Sequence, residues 1–305
     1  MQDKIGVAVI TYRAKDLLPT SLPPLLKSSI PTKVLVVNSS SNDGTVELAK
    51  AMGADTLVVP RNSFNHGTTR EVARKALGTE IVVMTTPDAI AVDNHVIEKL
   101  VQPLLTKEAS ASYARQLPHN NADLFESFPR EFNYPPKSHI RSLQEVRDFG
   151  SYLFFFSDSF AAYRNDALDS IGGFSSVLTG EDTVAIAKLL HAGHKIAYRA
   201  EAEVKHSHRY TLLQEFKRYF DTGLAREGYK NLLEVAGTDD KRGKEFALSL
   251  LRKTASERPH LIPYATLHIL SKWLGYKIGQ KSLNAPHSFK KWMSSQDFYW
   301  LNHQI

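Results

Sequence analysis

The chain of 305 residues contains no cysteine. This absence excludes a disulfide-stapled scaffold, a zinc site built on thiolates and a cysteine nucleophile, and it agrees with a reducing compartment. No segment approaches the roughly 18 consecutive apolar residues that a membrane-spanning helix requires. Residues 1–10 also lack the basic start and the long apolar stretch of a secretory signal. We therefore expect a cytoplasmic protein, either free or peripheral on the inner face of the cell membrane.

Two common phosphate-binding patterns are missing as well. No predicted strand end carries the Gly-x-Gly-x-x-Gly pattern of dinucleotide-binding proteins or the Walker pattern of ATPases. The composition is otherwise that of an ordinary globular protein, with 42% hydrophobic and 23% charged residues. A chain of this length can bury the core of one large α/β domain, with or without an extension.

Short apolar, β-branched runs alternate with helical patterns through the first hundred residues. This alternation is typical of a parallel sheet that helices cover on both faces. Because such sheets bind ligands beyond the carboxyl ends of their strands, the residues after each run are candidates for a site. The predicted strands cover residues 5–10, 34–37, 57–59 and 81–84, and the predicted helices cover residues 16–29, 45–52 and 68–77.

Acidic residues stand at two positions where they could do chemistry. Asp88 follows the fourth apolar run, where a carboxylate can offer oxygen ligands to Mg²⁺ or Mn²⁺. Glu181 and Asp182 follow Gly180 at the start of a predicted helix over residues 181–192. They can cap that helix, or one of them can act as the base that takes a proton from an attacking hydroxyl. The spacing alone does not decide between these roles.

Histidines and one arginine add further candidates. His206 and His208 follow a predicted strand, and both imidazoles point to one face if that strand continues. Such a pair either ligates a metal or is held by hydrogen bonds near the surface. His66 and Arg70 flank the start of a predicted helix, where free N–H groups suit a diphosphate. A plain glycine-containing loop would look the same.

Positive charge is concentrated in the last third of the chain. Residues 205–305 hold 17 Lys and Arg against 9 Asp and Glu, a net charge of +8, whereas residues 1–204 carry −2. Residues 264–293 mix aromatic side chains with lysines, a pattern that suits an anionic membrane surface or, equally, a partly packed helical pair. The residues concerned are Trp273, Leu274, Tyr276, Ile278, Phe289, Trp292 and Met293, with Lys272, Lys277, Lys281, Lys290 and Lys291.

Eleven short segments carry polar, aromatic or glycine-containing motifs in a fixed order. They are residues 9–12, 38–45, 64–70, 86–89, 113–118, 132–135, 157–163, 171–174, 180–183, 206–210 and 218–223. In this order they resemble the motifs of family 2 glycosyltransferases, specifically the rhamnosyltransferase-like branch used in bacterial polysaccharide assembly. The similarity covers roughly residues 4–225, and its specificity comes from the order and density of the segments.

The resemblance implies a fold and a division of the chain. The fold would be GT-A, an α/β nucleotide-diphospho-sugar transferase fold with a central, mostly parallel sheet flanked by helices. Residues 1–225 would form the catalytic domain, with a nucleotide-sugar half over about residues 1–100 and an acceptor half over about 101–225. Residues 226–305 would form a basic helical C-terminal extension.

The resemblance also implies roles for individual residues. Asp182 would be the general base and Glu181 would contact the acceptor or the donor beside it. Asp88 would be the last acid of the metal-binding motif, with His206 as an additional ligand to a divalent Mg²⁺ or Mn²⁺. The donor would be bound by Thr11, Tyr12, Asn38, Asp43, His66, Arg70 and Arg115.

Two positions depart from the family pattern. Asn38 replaces the acid that usually follows the second strand, and the segment Thr86-Pro87-Asp88 lacks the first acid of the metal motif. The resemblance nevertheless implies an inverting transfer of a sugar to a hydroxyl of a glycan or lipid-linked glycan. The implied donor is dTDP-L-rhamnose. Asp88 and Asp182 must then face a shared cavity, one beside the departing diphosphate and the other beside the incoming alcohol.

Two other functions are alternatives to this one. A sugar-nucleotide nucleotidyltransferase also uses an α/β fold, but it should carry a glycine-rich basic loop after the first strand, which residues 11–18 lack. A basic nucleic-acid-binding protein would show affinity that falls steeply with salt. The acidic strand ends oppose binding of a phosphate backbone, and we expect no nucleic-acid partner.

Overall fold

One mixed sheet forms the centre of the protein. The computed structural model describes residues 4–302. The prediction that residues 1–10 lack a secretory signal therefore falls partly outside the described residues. The described strands are β1 (Ile5–Thr11), β2 (Lys33–Asn38), β3 (Asp55–Val58), β4 (Ile81–Thr85), β5 (Ile90–Ala91), β6 (Ala111–Leu117), β7 (His139–Arg141), β8 (Phe160–Arg164) and β9 (Ile196–Lys205).

The strands lie in the order β3-β2-β1-β4-β8-β6-β9-β5, and β7 pairs with β9. The first four are parallel, β8 runs antiparallel to both of its neighbours, and β6 is parallel to β9. The sequence predicts two strands over residues 195–198 and 202–205. These form one strand, β9, whose pairing with β6 shifts between Ala114 and Arg115. The predicted central, mostly parallel sheet is confirmed.

Helices cover both faces of the sheet and then form the end of the chain. The alternation of side chains along β1 explains the two faces, because Val7 and Val9 enter one apolar core while Ala8 and Ile10 enter the other. The helices are α1 (Leu18–Leu26), α2 (Thr45–Ala51), α3 (His66–Leu77), α4 (Val96–Leu105), α5 (Leu124–Asn133), α6 (Val146–Phe149), α7 (Asn165–Ser170), α8 (Glu181–His191), α9 (Leu212–Gly228), α10 (Lys230–Leu233), α11 (Asp240–Glu257), α12 (Ile262–Lys281), α13 (His287–Met293) and α14 (Asp297–Asn302).

The helices α9 and α12 pack against each other at glycines. A Cβ on Gly275 would lie 2.2 Å from the carbonyl oxygen of Phe216, and one on Gly223 would lie 2.1 Å from that of Tyr276. The two helix backbones therefore approach so closely that only glycine fits at these positions. The helix α9 also crosses the boundary that the sequence predicts after residue 225, so the predicted catalytic domain and the predicted extension would share one continuous helix.

The aromatic and basic residues of the last third divide into two groups. Lys272 is buried, with its Nζ 3.4 Å from Glu215 Oε1, and Lys277 Nζ donates a hydrogen bond of 2.9 Å to Asp240. Trp273 and Trp292 are instead 54% and 71% exposed. Lys272 therefore cannot contact a membrane surface and Lys277 is held by an ion pair, whereas Trp273 and Trp292 are free to do so. No helix within residues 4–302 is long and apolar enough to cross a membrane.

We predict that Gly275→Ala destabilises the protein. The added methyl group would meet the Phe216 carbonyl at 2.2 Å, so α9 and α12 must separate. Overpacking of this kind costs about 1–3 kcal/mol in the free energy of unfolding. Chemical denaturation measures this loss.

The matched control is Gly243→Ala on α11, where a Cβ would meet nothing within 4 Å. This variant should gain about 0.5–1 kcal/mol, because alanine loses less backbone entropy than glycine in a helix. Equal stability of the two variants would refute the close α9–α12 contact.

Candidate active site

Asp88 lies in the turn after β4, at the carboxyl edge of the parallel strands. Thr86 Oγ1 donates a hydrogen bond of 2.5 Å to Asp88 Oδ1. The turn is tied to the segment before β8, since the backbone N–H of Thr86 and the hydroxyl of Thr85 both donate to the Ser159 carbonyl. The sheet edge and these bonds place the Asp88 carboxylate at the open end of the strands.

His206 and His208 reach the same point from the end of β9. The Nε2 atoms of His206 and His208 lie 3.6 and 3.4 Å from Asp88 Oδ2, and 2.9 Å from each other. Ligand atoms bound to one divalent ion at about 2.1 Å lie about 3–3.5 Å apart, so these spacings suit a shared ion. The structure therefore brings together the two ligands that the resemblance implies, Asp88 and His206, and places His208 beside them.

Gln116 fixes the orientation of the His206 ring. The Nδ1 atom of His206 lies 2.9 Å from Gln116 Oε1, and because a carbonyl oxygen only accepts, Nδ1 carries the proton. The Nε2 lone pair is then free to face Asp88. Gln116 is itself held, since its amide donates to Ser157 Oγ at 2.9 Å and Arg130 donates to its oxygen at 2.6 Å. Support of this kind is usual behind a metal-ligating histidine.

The protonation states of this cluster suit a metal. Burial lowers the pKa of both histidines, that of His208 to about 4, so both imidazoles are neutral near pH 7. Burial alone would raise the pKa of Asp88, but the hydrogen bond and charge of His206 in its protonated form, together with the Thr86 hydrogen bond, outweigh it and hold that pKa below its usual value, so Asp88 is anionic near pH 7. One anionic oxygen and two neutral nitrogens are thus available as ligands.

A cavity of about 450 Å³ opens over this cluster. Two cationic side chains that were not among the predicted donor-binding residues, Arg130 and Arg218, lie in its wall and can face a diphosphate. Of the predicted donor-binding residues, only Tyr12 is part of the lining. The lining residues are Ile10, Tyr12, Leu17, Thr86, Pro87, Asp88, Arg130, Ser157, Ser159, His206, His208 and Arg218.

Three predicted donor contacts form a hydrogen-bond network within their own loop. Thr11 Oγ1 donates to the Val37 carbonyl at 3.0 Å, and Asn38 Nδ2 donates to Thr11 Oγ1 and to Ser41 Oγ. Asp43 accepts from the hydroxyls of Ser41 and Thr45 at 2.7 Å. Burial would raise the pKa of Asp43, but these hydrogen bonds outweigh it and lower that pKa. The network shapes the loop beside Tyr12.

Tyr12 and His66 belong to an aromatic cluster that includes the end of the chain. The Arg61 guanidinium lies 4.0 Å from the centre of the Tyr12 ring and 4.9 Å from that of Phe298 on α14. His66 packs edge-on against Phe64 and Phe298, and burial lowers its pKa. His66 therefore packs against these phenylalanines and is not part of the cavity lining.

Arg115 lies apart from the cavity. Its Nη1 atom is 2.9 Å from Glu203 Oε1 on the neighbouring strand β9, next to the shift in pairing. Gln116, the next residue along β6, is the one that contacts the metal cluster.

A second acidic cluster surrounds Arg70. The Nε and Nη1 atoms of Arg70 lie 2.9 Å from Asp158 Oδ2 and 2.9 Å from Glu181 Oε1, and all three side chains are buried. Asp182 accepts hydrogen bonds from the backbone N–H groups of Asp158 at 3.3 Å and Thr183 at 2.6 Å. Burial, and then the charge of Glu181, raise the pKa of Asp182.

Residues 157–159, which we call the 157–159 wall, separate the two clusters. Ser157 and Ser159 line the cavity, whereas the N–H of Asp158 between them reaches Asp182. Asp182 is half-buried and is not part of the cavity lining as the structure stands. That Asp88 and Asp182 face a shared cavity therefore stays a prediction.

Asp158 has no predicted role, although it lies in the motif of residues 157–163 and its position carries a signal. It stands between the aromatic run of residues 154–156 and the buried strand β8. A carboxylate in such a position is buried, and a buried charge needs a partner. Arg130 carries no comparable signal, because an arginine on a helix is ordinary, whereas Arg218 begins the motif of residues 218–223.

The chain is similar to known proteins over nearly its whole length. A family model described as "Glycosyltransferase like family 2" matches residues 2–221. The O-antigen chain rhamnosyltransferase RfbN of Salmonella typhimurium is 36% identical over 305 residues, which cover 99% of this chain and 97% of that protein. The O-antigen chain rhamnosyltransferase WbaN of Salmonella anatum is 36% identical over 276 residues, 90% of this chain and 88% of that one.

A solved structure shares the fold. The mannosyltransferase PcManGT from Pyrobaculum calidifontis, in complex with GDP-Man and Mn²⁺, matches with a TM-score of 0.63 at 16% identity. The match covers 93% of this chain and 88% of that one. With the family model and the two relatives, this likeness leads to one conclusion: the chain belongs to the family 2 glycosyltransferases and is a glycosyltransferase with a GT-A fold.

Proposed function

We propose that this enzyme transfers L-rhamnose from dTDP-L-rhamnose to a hydroxyl of a glycan or lipid-linked glycan, with inversion, in bacterial polysaccharide synthesis. The observation that carries the proposal is the cluster of Asp88, His206 and His208 in a cavity at the strand ends. The two relatives support the sugar and the pathway class, because both are O-antigen chain rhamnosyltransferases.

The ligand set favours Mn²⁺ over Mg²⁺. Mg²⁺ prefers oxygen ligands, whereas Asp88 supplies one carboxylate beside the two imidazoles of His206 and His208. PcManGT, which has the same fold, was solved with Mn²⁺. A bound divalent ion would stabilise negative charge on the leaving diphosphate. Arg130 and Arg218 would bind the same oxygens from the cavity wall.

The proposed reaction needs a base and no enzyme nucleophile. The acceptor hydroxyl gives its proton to the Asp182 carboxylate as its oxygen bonds to the anomeric carbon. The bond from that carbon to the diphosphate oxygen breaks, and its electron pair leaves with dTDP. A single displacement inverts the anomeric carbon. The raised pKa of Asp182 suits this role, since a base acts best when its pKa lies near the working pH.

Tyr12 is the proposed nucleoside contact. It is 40% exposed, lines the cavity and is backed by the Arg61 guanidinium at 4.0 Å. An aromatic ring held in this way offers a flat face on which a thymine base can stack. Thr11, Asn38 and Asp43 would act indirectly, by holding the loop beside that ring.

Removal of one histidine tests the metal site. In His208→Ala, Mn²⁺ affinity measured by electron paramagnetic resonance should fall by at least about tenfold, because one of three protein ligands is lost. The stabilisation of the wild type by thymidine diphosphate with Mn²⁺ in a thermal-shift assay should shrink accordingly.

His260→Ala is the control, since His260 is exposed and far along the chain from the cluster. Unchanged Mn²⁺ affinity in His208→Ala would remove His208 from the site. Stabilisation by nucleic acid, without a response to any nucleotide sugar, would reject the proposed function altogether.

Asp182→Asn tests the base. This variant should bind dTDP-L-rhamnose normally but transfer the sugar about 10²–10⁴ times more slowly, because the amide cannot accept the proton. Isothermal titration and a radiolabel transfer assay separate the two quantities. Asp148→Asn, an exposed site on α6, should leave both unchanged. Turnover near the wild-type rate in Asp182→Asn would exclude this residue as base.

The exposed end of the chain supports a peripheral membrane contact for a lipid-linked acceptor. Trp273 and Trp292 are exposed, and Lys290 and Lys291 lie beside Trp292. The double change Lys290→Glu/Lys291→Glu should therefore reduce pelleting with anionic vesicles. The same charge change at two exposed lysines elsewhere, Lys107→Glu/Lys137→Glu, should not. Equal pelleting of both double variants would remove the membrane proposal.

A further inference from the structure

We infer that Arg70 and Glu181 are positioning residues that fix the place of Asp182 and govern how readily it takes a proton. This inference rests on the proposed function, in which Asp182 is the base. It assigns Arg70 and Glu181 to a buried ion-pair network, whereas the resemblance implies contacts with donor or acceptor.

Two nitrogen atoms of the Arg70 guanidinium are paired inside the protein. Its Nε atom lies 2.9 Å from Asp158 Oδ2, and its Nη1 atom lies 2.9 Å from Glu181 Oε1. The same Nη1 atom donates a hydrogen bond of 3.0 Å to the His66 carbonyl. The side chain of Arg70 is only 5% exposed, so a diphosphate in the cavity cannot reach it without breaking these contacts.

Arg70 does not contact Asp182 but positions it through two neighbouring residues, Asp158 and Glu181. On one side it binds the side chain of Asp158, whose backbone N–H donates to Asp182 Oδ2 at 3.3 Å. Tyr163 fixes Asp158 as well, by a hydrogen bond of 2.5 Å to Oδ1. On the other side Arg70 binds Glu181, the residue that precedes Asp182 in the first turn of α8. The carboxylate of Asp182 is thus placed by its two neighbours.

The charges around Asp182 act on it in opposite directions. Among the described side chains, no cation forms an ion pair with Asp182, whereas Arg70 forms ion pairs with the neighbouring carboxylates of Asp158 and Glu181. Burial raises the pKa of Asp182 most, the charge of Glu181 raises it further, and the charge of Arg70 lowers it. Five other titratable groups interact electrostatically with Asp182 or with its neighbours. They are His66 on α3, Asp158 just before β8, Tyr163 on β8, Tyr134 after α5 and Tyr229 after α9.

The sign of each charge therefore predicts the sign of a measurable shift. Asp182 must be ionised to accept a proton, so kcat/KM falls on the acid side as pH drops through its pKa. Glu181→Gln removes a neighbouring negative charge and should move this acid limb to lower pH. Arg70→Gln removes the cation and should move it to higher pH. Charges this close shift a pKa by about one unit or more.

The experiment is the pH dependence of kcat/KM for transfer from dTDP-L-rhamnose at saturating Mn²⁺. The wild type is compared with Glu181→Gln, Arg70→Gln and Arg70→Lys. Titration of the donor is the same for all four proteins, so a difference between them belongs to the enzyme. Arg70→Lys keeps the charge and should stay closer to the wild-type limb than Arg70→Gln does, though with lower kcat, because lysine cannot bridge two carboxylates in the same way.

Opposite shifts in Glu181→Gln and Arg70→Gln would support the inference, since loss of stability alone does not move a pH limb in two directions. If Arg70→Gln does not fold, Glu181→Gln decides, because it replaces a carboxylate by an amide of the same shape. An unshifted limb in Glu181→Gln overturns the inference. If Asp182→Asn is inactive in the same assay, only the inference has failed; if Asp182→Asn is active, the base assignment itself has failed.

Discussion

The hydrogen bonds of the 157–159 wall link the two residue clusters of the candidate active site, one around Asp88 and the other around Arg70. Ser159 accepts from Thr85 and Thr86 through its carbonyl, which fixes the turn that carries Asp88. Ser157 accepts from Gln116, the residue that orients His206. Asp158 donates its N–H to Asp182. One short segment before β8 therefore positions the candidate metal ligands Asp88 and His206 on one side and the proposed base on the other.

The two clusters differ in the charges around their key carboxylates, and this difference gives Asp88 and Asp182 different pKa values. Asp88 lies between two histidines that keep its pKa low, so it stays anionic and available to a cation. Asp182 lies among other carboxylates in a buried site, which raises its pKa and makes it able to take up a proton. Environments that push two acids apart in pKa are the usual basis for assigning different roles to them. Arg70, bound to Asp158 and Glu181, keeps the second cluster from carrying the full charge of three carboxylates.

The sequence predicted best the features that follow from short apolar runs and the order of motifs. Apolar runs that alternate with helical patterns located the parallel strands, the rule for strand ends pointed to Asp88, and the family resemblance added His206, which the structure places beside Asp88. Side-chain pairing was harder to foresee. Arg70 and Arg115 each bind a carboxylate that is distant in sequence, and such pairs depend on the tertiary contacts between elements. The same holds for the inward hydrogen bonds of Asn38, since an amide at a strand end serves a ligand or its own loop equally well.

The central claim is that a metal beside Asp88 and the carboxylate of Asp182 lie on opposite sides of one bound donor. A crystal structure with Mn²⁺ and a non-hydrolysable dTDP-rhamnose analogue, with the ion located by anomalous scattering, tests it most directly. The account predicts an Mn²⁺ peak ligated by Asp88, His206 and His208, with the anomeric carbon open towards Asp182. A metal bound elsewhere, or a sugar separated from Asp182 by the intact 157–159 wall, would contradict the account.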